Sequence, residues 1–305
     1  MSFRISCAAV LSVALSIACR ADEPKQEDAK PAATPAPDAA NAAKSKEAEA
    51  VLNEAIEAQH AGDLAATVSD VEFACLFTQR TDKGRHSVDV EQRFKTPDKL
   101  WRHVTDTVLG TSVVEGFDGK SGWNKKEKDK LIRFDGPDWK ADREKLDTDV
   151  RQMRLLLRFF FVENLADALE SAERVEDRVV ARDNQPATTC AVIRGKAALS
   201  DDDGGPCRVE LCFDQATHFL IAARIERDDA EPRVARFEFA FHAPTRQDVI
   251  VPGNVKEFIG DEKEPSIVIA LQSEDVEVDG KTVAMNSIRF NVGMDDASFA
   301  PPSSK

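Results

Sequence analysis

The sequence predicts an α+β fold, mainly antiparallel β: a curved, open half-barrel sheet with helices covering its concave face. Three observations carry that expectation. Most of the chain beyond residue 70 alternates apolar and polar residues with a period of two, the mark of strands covered on one face. The stretch from Trp139 to Val162 is instead helical, because Trp139, Leu146, Val150, Met153, Leu157 and Phe160 recur at spacings of 7, 4, 3, 4 and 3. One group of strands precedes this helix and another follows it, and so wide a sheet must curl, close or be covered.

Taken in order, the chain opens on an export signal. Arg4 supplies the positive start, and Ile5 to Ala18 is an apolar run of about 14 residues, short for a bilayer span. Two endings compete. Ser16-Ile17-Ala18 before Cys19 resembles a bacterial lipobox, with serine where leucine is usual, and makes Cys19 a lipidation site and membrane tether. Ordinary cleavage after Ala18 or Ala21 leaves a soluble mature form. Either way the product leaves the cytoplasm for the periplasm or cell envelope. Residues 22–45, with Pro24, Pro31, Pro35 and Pro37 among alanines and charges, form a linker with no apolar periodicity. The remainder, 46–305, reads as one domain.

A first helix is expected from Lys46 to Ala61, with Val51, Leu52, Ala55 and Ile56 on its apolar side and Gly62 as its stop. Strands follow around Val71–Thr78, Val88–Lys95, Leu100–Val104 and Val113-Val114, then at Trp123 and at Leu131–Phe134. Asp118-Gly119-Lys120 is a tight turn by composition. Gly136-Pro137 ends this section, and Asp138 is a candidate cap for the long helix. That helix carries Asp142, Glu144, Lys145, Asp147, Asp149, Arg151 and Arg154 on its polar face. From Leu155 to Val162 only Arg158 relieves an apolar run, so this end must be buried all round or cover an apolar hollow. A short helical piece is expected at Leu165–Ala172. Strands return at Val175–Ala181, Thr188–Lys196, Cys207–Phe213, Phe219–Arg227, Arg233–His242, Ile267–Glu277 and Val283–Val292, separated by Asn/Asp/Gly/Pro turns.

Charge and chemistry narrow the function. The 41 basic and 55 acidic residues leave a formal charge of −14, against a nucleic-acid partner or an anionic membrane face. Seventeen phenylalanines beside no tyrosine suit a dry interior. The five histidines are scattered, no serine has a hydrolase's glycine flanks, and no metal-ligand spacing stands out, so neither catalysis, metal nor cofactor is expected. Asp201–Gly205 reads as a solvated hairpin loop, without the spacing of a calcium loop. Cys75, Cys190, Cys207 and Cys212 remain after targeting; a bridge among the last three is possible in an oxidising compartment, and its pairing stays open.

Three local patterns carry a family resemblance. They are Phe94-Lys95-Thr96-Pro97-Asp98-Lys99-Leu100-Trp101, then Phe117-Asp118-Gly119-Lys120 with Trp123, then Asp295-Asp296-Ala297-Ser298-Phe299-Ala300-Pro301-Pro302. In this order, over residues 46–302, they resemble the LolA-like lipoprotein carriers and the wider lipoprotein-sorting group. The resemblance implies a half-barrel with a helical lid, and acyl chains or envelope components held in the hollow. One departure is Thr96, where the carriers have an arginine that helps hold the lid closed. The expected function is therefore a non-enzymatic, exported binder of a lipid or acylated lipoprotein. Trp123, Met153, Leu157, Phe160, Phe237, Phe239 and Phe241 are the expected lining residues. The alternative is an envelope sensor that binds a protein partner and carries no lipid.

Overall fold

The computed structural model describes residues 44–126, 131–134, 139–181, 186–199, 206–227, 233–278 and 280–302. The export signal, Cys19, most of the linker, Asp138 and the Asp201–Gly205 loop lie outside them. Helices α1 (Lys46–Gln59) and α2 (Leu64–Thr67) come first. Six strands follow: β1 (Asp70–Thr81), β2 (Gly84–Lys95), β3 (Lys99–Asp106), β4 (Thr111–Asp118), β5 (Gly122–Lys126) and β6 (Ile132–Arg133). Helices α3 (Lys140–Phe160) and α4 (Val162–Ala168) interrupt the strands. The second series is β7 (Leu169–Val180), β8 (Thr188–Ala197), β9 (Cys207–Asp214), β10 (Leu220–Arg227), β11 (Arg233–Pro244), β12 (Ile250–Ile259) and β13 (Ile267–Leu271). Strands β14 (Ser273–Val278), β15 (Lys281–Asn286) and β16 (Arg289–Phe290) and a 3-10 turn at Asp296–Phe299 close the chain.

The strand order explains the architecture. It runs β6-β5-β4-β3-β2-β1-β13-β12-β11-β10-β9-β8-β7, with β16 also on β1 and β14–β15 as a separate pair. Each half is an antiparallel meander, and the halves meet where Cys75 pairs with Leu271 and Phe77 with Ile269. The α3–α4 connection starts at one edge of the sheet and ends at the other. Thirteen strands spaced about 4.8 Å apart are roughly 58 Å across when flat. Helices of this combined length span only about 40 Å. The sheet therefore curves, and the connection crosses its hollow side. This is the open half-barrel with a helical cover that the sequence predicts.

Local chemistry sets the elements. The Ser45 hydroxyl accepts from Ala48 N (3.2 Å) and starts α1; His60, at φ 56°, ends it two residues before the predicted stop. Asp118 Oδ1 accepts from Lys120 N (2.9 Å) and Ser121 N (2.8 Å), making the predicted turn. The long helix breaks at Phe161, whose backbone is extended. Gln59 bridges that break: its Nε2 donates to Phe160 O (2.9 Å) and its Oε1 accepts from Val162 N (2.8 Å). Both groups are buried, so the bridge satisfies backbone that burial leaves without water.

Several expectations are corrected. The short helix is Val162–Ala168, and residues 169–172, expected in it, already belong to β7. The Ile267–Glu277 strand splits at Gln272, whose N–H donates to Ala74 O while its carbonyl accepts from Ser287 N. Strand β12 is absent from the predicted strands, and its Pro252-Gly253 pair is a composition more common in turns. Pro252 is tolerated opposite His242, beside a local break at Phe241, where the pairing with Gly253 is missing although the β11–β12 register on either side is unchanged. None of Cys75, Cys190, Cys207 and Cys212 is joined in a disulfide, so the possible bridge among the last three is not formed. Cys207 packs into the main core, whereas Cys190 and Cys212 share a small cluster with Val192 and Ile221.

Gly195 on β8 faces the β7 irregularity at Leu169/Ser171, where a Cβ would stand 1.9 Å from the Ser171 carbonyl oxygen. Backbone cannot yield as a side-chain tip does. Gly195→Ala is expected to cost about 3 kcal/mol or more, read as a lowered denaturation midpoint.

Candidate functional site

The site lies between α3 and the inner face of the sheet. An apolar cavity of about 70 Å³ is walled by Phe73 and Phe77 of β1, Met153 and Phe159 of α3, Phe237 of β11 and Ile269 of β13. The alternation of each strand turns these side chains inward, and α3 offers its apolar stripe to them. Phe159 packs against Phe237 and Phe239 with ring centroids 5.0 and 5.2 Å apart. Such tilted pairs add about 0.5–1.5 kcal/mol each beyond the area they bury.

Five polar residues interrupt the apolar wall: Gln92, Arg102, Asp149, Gln152 and Glu257. Arg102 of β3 stands between Gln92 and Glu115 in the sheet register and is 1 % exposed. Its Nε bonds Glu115 Oε1, and its Nη2 lies 2.7 Å from Asp149 Oδ2 on α3. Burial opposes the Arg102 charge, but Asp149 and Glu115 overcome this, so its pKa stands above the ordinary value. Burial likewise pushes Glu115 up, yet Arg102 and Lys145 outweigh it and the pKa falls. Asp149 ends above its ordinary value, because there burial outweighs Arg102 and Lys145. Burial and Arg102 together depress Lys145. Asp149 and Lys145 were assigned to the helix's polar face; the structure turns them onto this ion cluster. The cluster joins the covering helix to the sheet.

Glu257 of β12 is different. Its cross-strand neighbours are Phe237 and Ile267, and among the described residues no cation pairs with it. Burial alone pushes its carboxyl up to about 8. Oε2 has no hydrogen-bond partner among the described residues; nor do Arg102 Nη1, Asp149 Oδ1 and Gln152 Nε2.

The predicted lining residues are dispersed. Met153 and Phe237 line the cavity, and Phe239 lies behind Phe159. Phe160 is fully buried in the general core. Leu157 borders a separate, polar groove with Thr96, Arg154 and Arg158. Trp123 is buried on the opposite side of β5 from Gly122, whose position faces Leu146 of α3, and its Nε1 donates to Phe299 O (2.9 Å). Phe241 does not continue the inward series: its backbone is left-handed, at φ 55°, and its side chain is 69 % exposed. Sequence reasoning missed Glu257, Arg102 and Asp149.

The helical cover has further ties. Arg154 Nε donates to Pro97 O (2.7 Å), and Arg158 bonds the Ala198 carbonyl. Thr96 Oγ1 donates to Ser69 O (3.1 Å). So the helix supplies the arginine that reaches the proline turn. Among the described residues, no group of three or more His, Cys, Asp or Glu side chains is placed to hold a metal, and no helix is long and apolar enough to cross a membrane.

These features define a class by shape: an open antiparallel half-barrel whose hollow is crossed by a helix over a small, mostly apolar cavity. No family model and no curated protein matches the chain. Solved structures do. A LolA superfamily protein from Nitrosomonas europaea is similar at TM-score 0.42 and 9% identity, covering 83% of this chain and 97% of its own. A candidate outer-membrane lipoprotein-sorting domain from Vibrio parahaemolyticus is similar at TM-score 0.42 and 10% identity, covering 82% and 96%. A DUF1329 family protein from Desulfovibrio piger gives 0.42 and 12%, covering 83% and 96%. The first two bear the family names that the three sequence motifs resemble. At this similarity the likeness concerns outline, and the site's chemistry rests on this chain's own residues.

Proposed function

We propose that this chain is an exported, carrier-like binder of an apolar ligand, a lipid or acylated lipoprotein, taken up between α3 and the sheet. The observation that supports this most directly is the cavity itself, apolar on most sides and roofed by one helix. Its present volume is well below the roughly 300–1,000 Å³ of ligand pockets. Uptake of an acyl chain therefore moves α3 off the sheet, against the Arg102–Asp149 and Arg154–Pro97 contacts. In this reading residues 1–21 are the export signal, residues 22–45 are a linker, and Cys19 is the candidate tether.

Mass spectrometry of organic extracts from the protein purified after export tests the reading. Stoichiometric phospholipid, fatty acid or acyl-peptide is the expected result. Val255→Phe, which fills the cavity from β12, is expected to weaken uptake of a fluorescent acyl probe by about tenfold or more, with an unchanged circular dichroism spectrum.

A second reading, an envelope sensor with a protein partner and no cargo, is favoured by how fully the hollow is occupied. Phe94, Phe159, Phe160, Phe161, Phe213, Phe239 and Phe290 are all essentially inaccessible there. A lipid-free protein that also fails to take up the probe would establish that reading in place of the first.

A further inference from the structure

We propose that Glu257 selects the ligand's head group: its carboxylic acid donates a hydrogen bond to a neutral carbonyl oxygen, of an ester or amide, at the buried end of an apolar ligand. The inference rests on the carrier-like reading and goes beyond it, from an apolar ligand in general to one bearing a carbonyl acceptor at a fixed depth.

Geometry comes first. Glu257 is 4 % exposed and lines the cavity, and its Oε2 lacks a partner. A buried polar group without a partner costs roughly 1–3 kcal/mol, so a ligand that pairs it gains specificity as well as affinity. The 70 Å³ beside this carboxyl leaves room for a small polar head group, and the chain that carries it enters as α3 moves off the sheet.

Charge then selects the head. The nearest charged cluster is balanced within itself, Arg102 and Lys145 against Glu115 and Asp149. A carboxylate head would add an uncompensated anion beside Asp149. An ammonium head would add a cation beside Arg102. Either enters an apolar enclosure at high desolvation cost, whereas a neutral acceptor does not. The predominant free groups are donors: Arg102 Nη1, Gln152 Nε2 and the protonated Glu257.

The donor exists only while Glu257 holds its proton, which burial favours up to pH of about 8. The other titratable groups lining the cavity are Asp149 on α3, Arg102 on β3 and Cys75 on β1, the last pushed up to about 12. Asp149, with Lys145 and Glu115 coupled to it through the ion cluster, is the competing explanation of a pH effect.

The test is competition of methyl laurate, dodecane and dodecylamine against a fluorescent apolar probe, with the full chain purified after export. The ester is expected to bind about tenfold tighter than dodecane below pH 7, and the advantage is expected to vanish above pH of about 8. Glu257→Gln keeps a donor that does not titrate, so it retains the ester advantage at every pH. Glu257→Leu removes the advantage at every pH while dodecane still binds. Ester and alkane binding equally to the unmodified protein would overturn the proposal and leave the carrier reading standing. So would tightest binding by dodecylamine, or a pH loss that persists in Glu257→Gln and so belongs to the ion cluster of Arg102, Glu115, Lys145 and Asp149. Failure of the probe and all three competitors to bind would overturn the carrier reading, and this inference with it.

Discussion

Arg102→Ala is expected to lower the stability of the fold by about 3–5 kcal/mol, the usual cost of leaving a buried charge without its partner. Arg102 is the hub of its cluster: it bonds Glu115 beside it in the sheet and meets Asp149 on α3. Its removal leaves two buried carboxylates with only Lys145, whose own charge is already disfavoured by burial and by Arg102. Urea denaturation measures the loss. The contrast is the variant Arg102→Met/Glu115→Leu/Lys145→Met/Asp149→Leu. It removes every charge at once and is expected to fall within about 1 kcal/mol of the parent or above it, as replacement of buried ion networks by apolar side chains often does. A single-variant loss of less than 1 kcal/mol would mean that water reaches the cluster.

Glu257→Gln is expected to stabilise the protein, and more so as the pH rises. Glu257 goes from its ordinary 4.5 to about 8 in the fold. Between these values the folded chain holds a proton that the unfolded chain has released, so stability falls by about 1.4 kcal/mol per pH unit. The burden is absent at pH 4 and complete above pH of about 8, on the order of 3–5 kcal/mol. Glutamine has no charge to bury. The variant is expected to melt roughly 6–15 °C above the parent at pH 8 and at nearly the same temperature at pH 4. Asp149 is also raised and gives the same sign of pH dependence from its own ordinary value upward. Glu115 is lowered and gives the opposite sign. The difference between parent and Glu257→Gln isolates residue 257. Equal melting temperatures at pH 8 would show that Glu257 is solvated.

The outline of this fold was legible because its signals are local. Period-two runs gave β1, β2 and β3, the Asp118 turn was written in three residues, and the apolar stripe of α3 marked the cover. The chemical part of the site was hidden for reasons that are equally physical. Asp149 and Lys145 look like solvent-facing charges on any helical projection, because their partners Arg102 and Glu115 lie on strands distant in sequence. Glu257 sits on β12, a strand disguised by Pro252-Gly253. Phe241 shows the converse error. Its spacing from Phe237 and Phe239 promises the inner face, and its own left-handed backbone turns it outward. Periodicity reports which face a residue takes only while the backbone stays extended.

The seam between the two meanders also bears on how the molecule assembles. Every other main-sheet pairing of β1 to β13 joins strands that follow one another in the chain, but β1 meets β13 only after the whole intervening sequence has been placed. Local hairpins form early, whereas contacts between distant segments demand costly loop closure. The two fans are therefore the natural early units, and zipping Cys75–Gln79 against Ile267–Leu271 is the late, slow event. Until it happens, β1 and β13 each present a bare edge to other chains, which makes the nascent protein most prone to aggregation at its own centre.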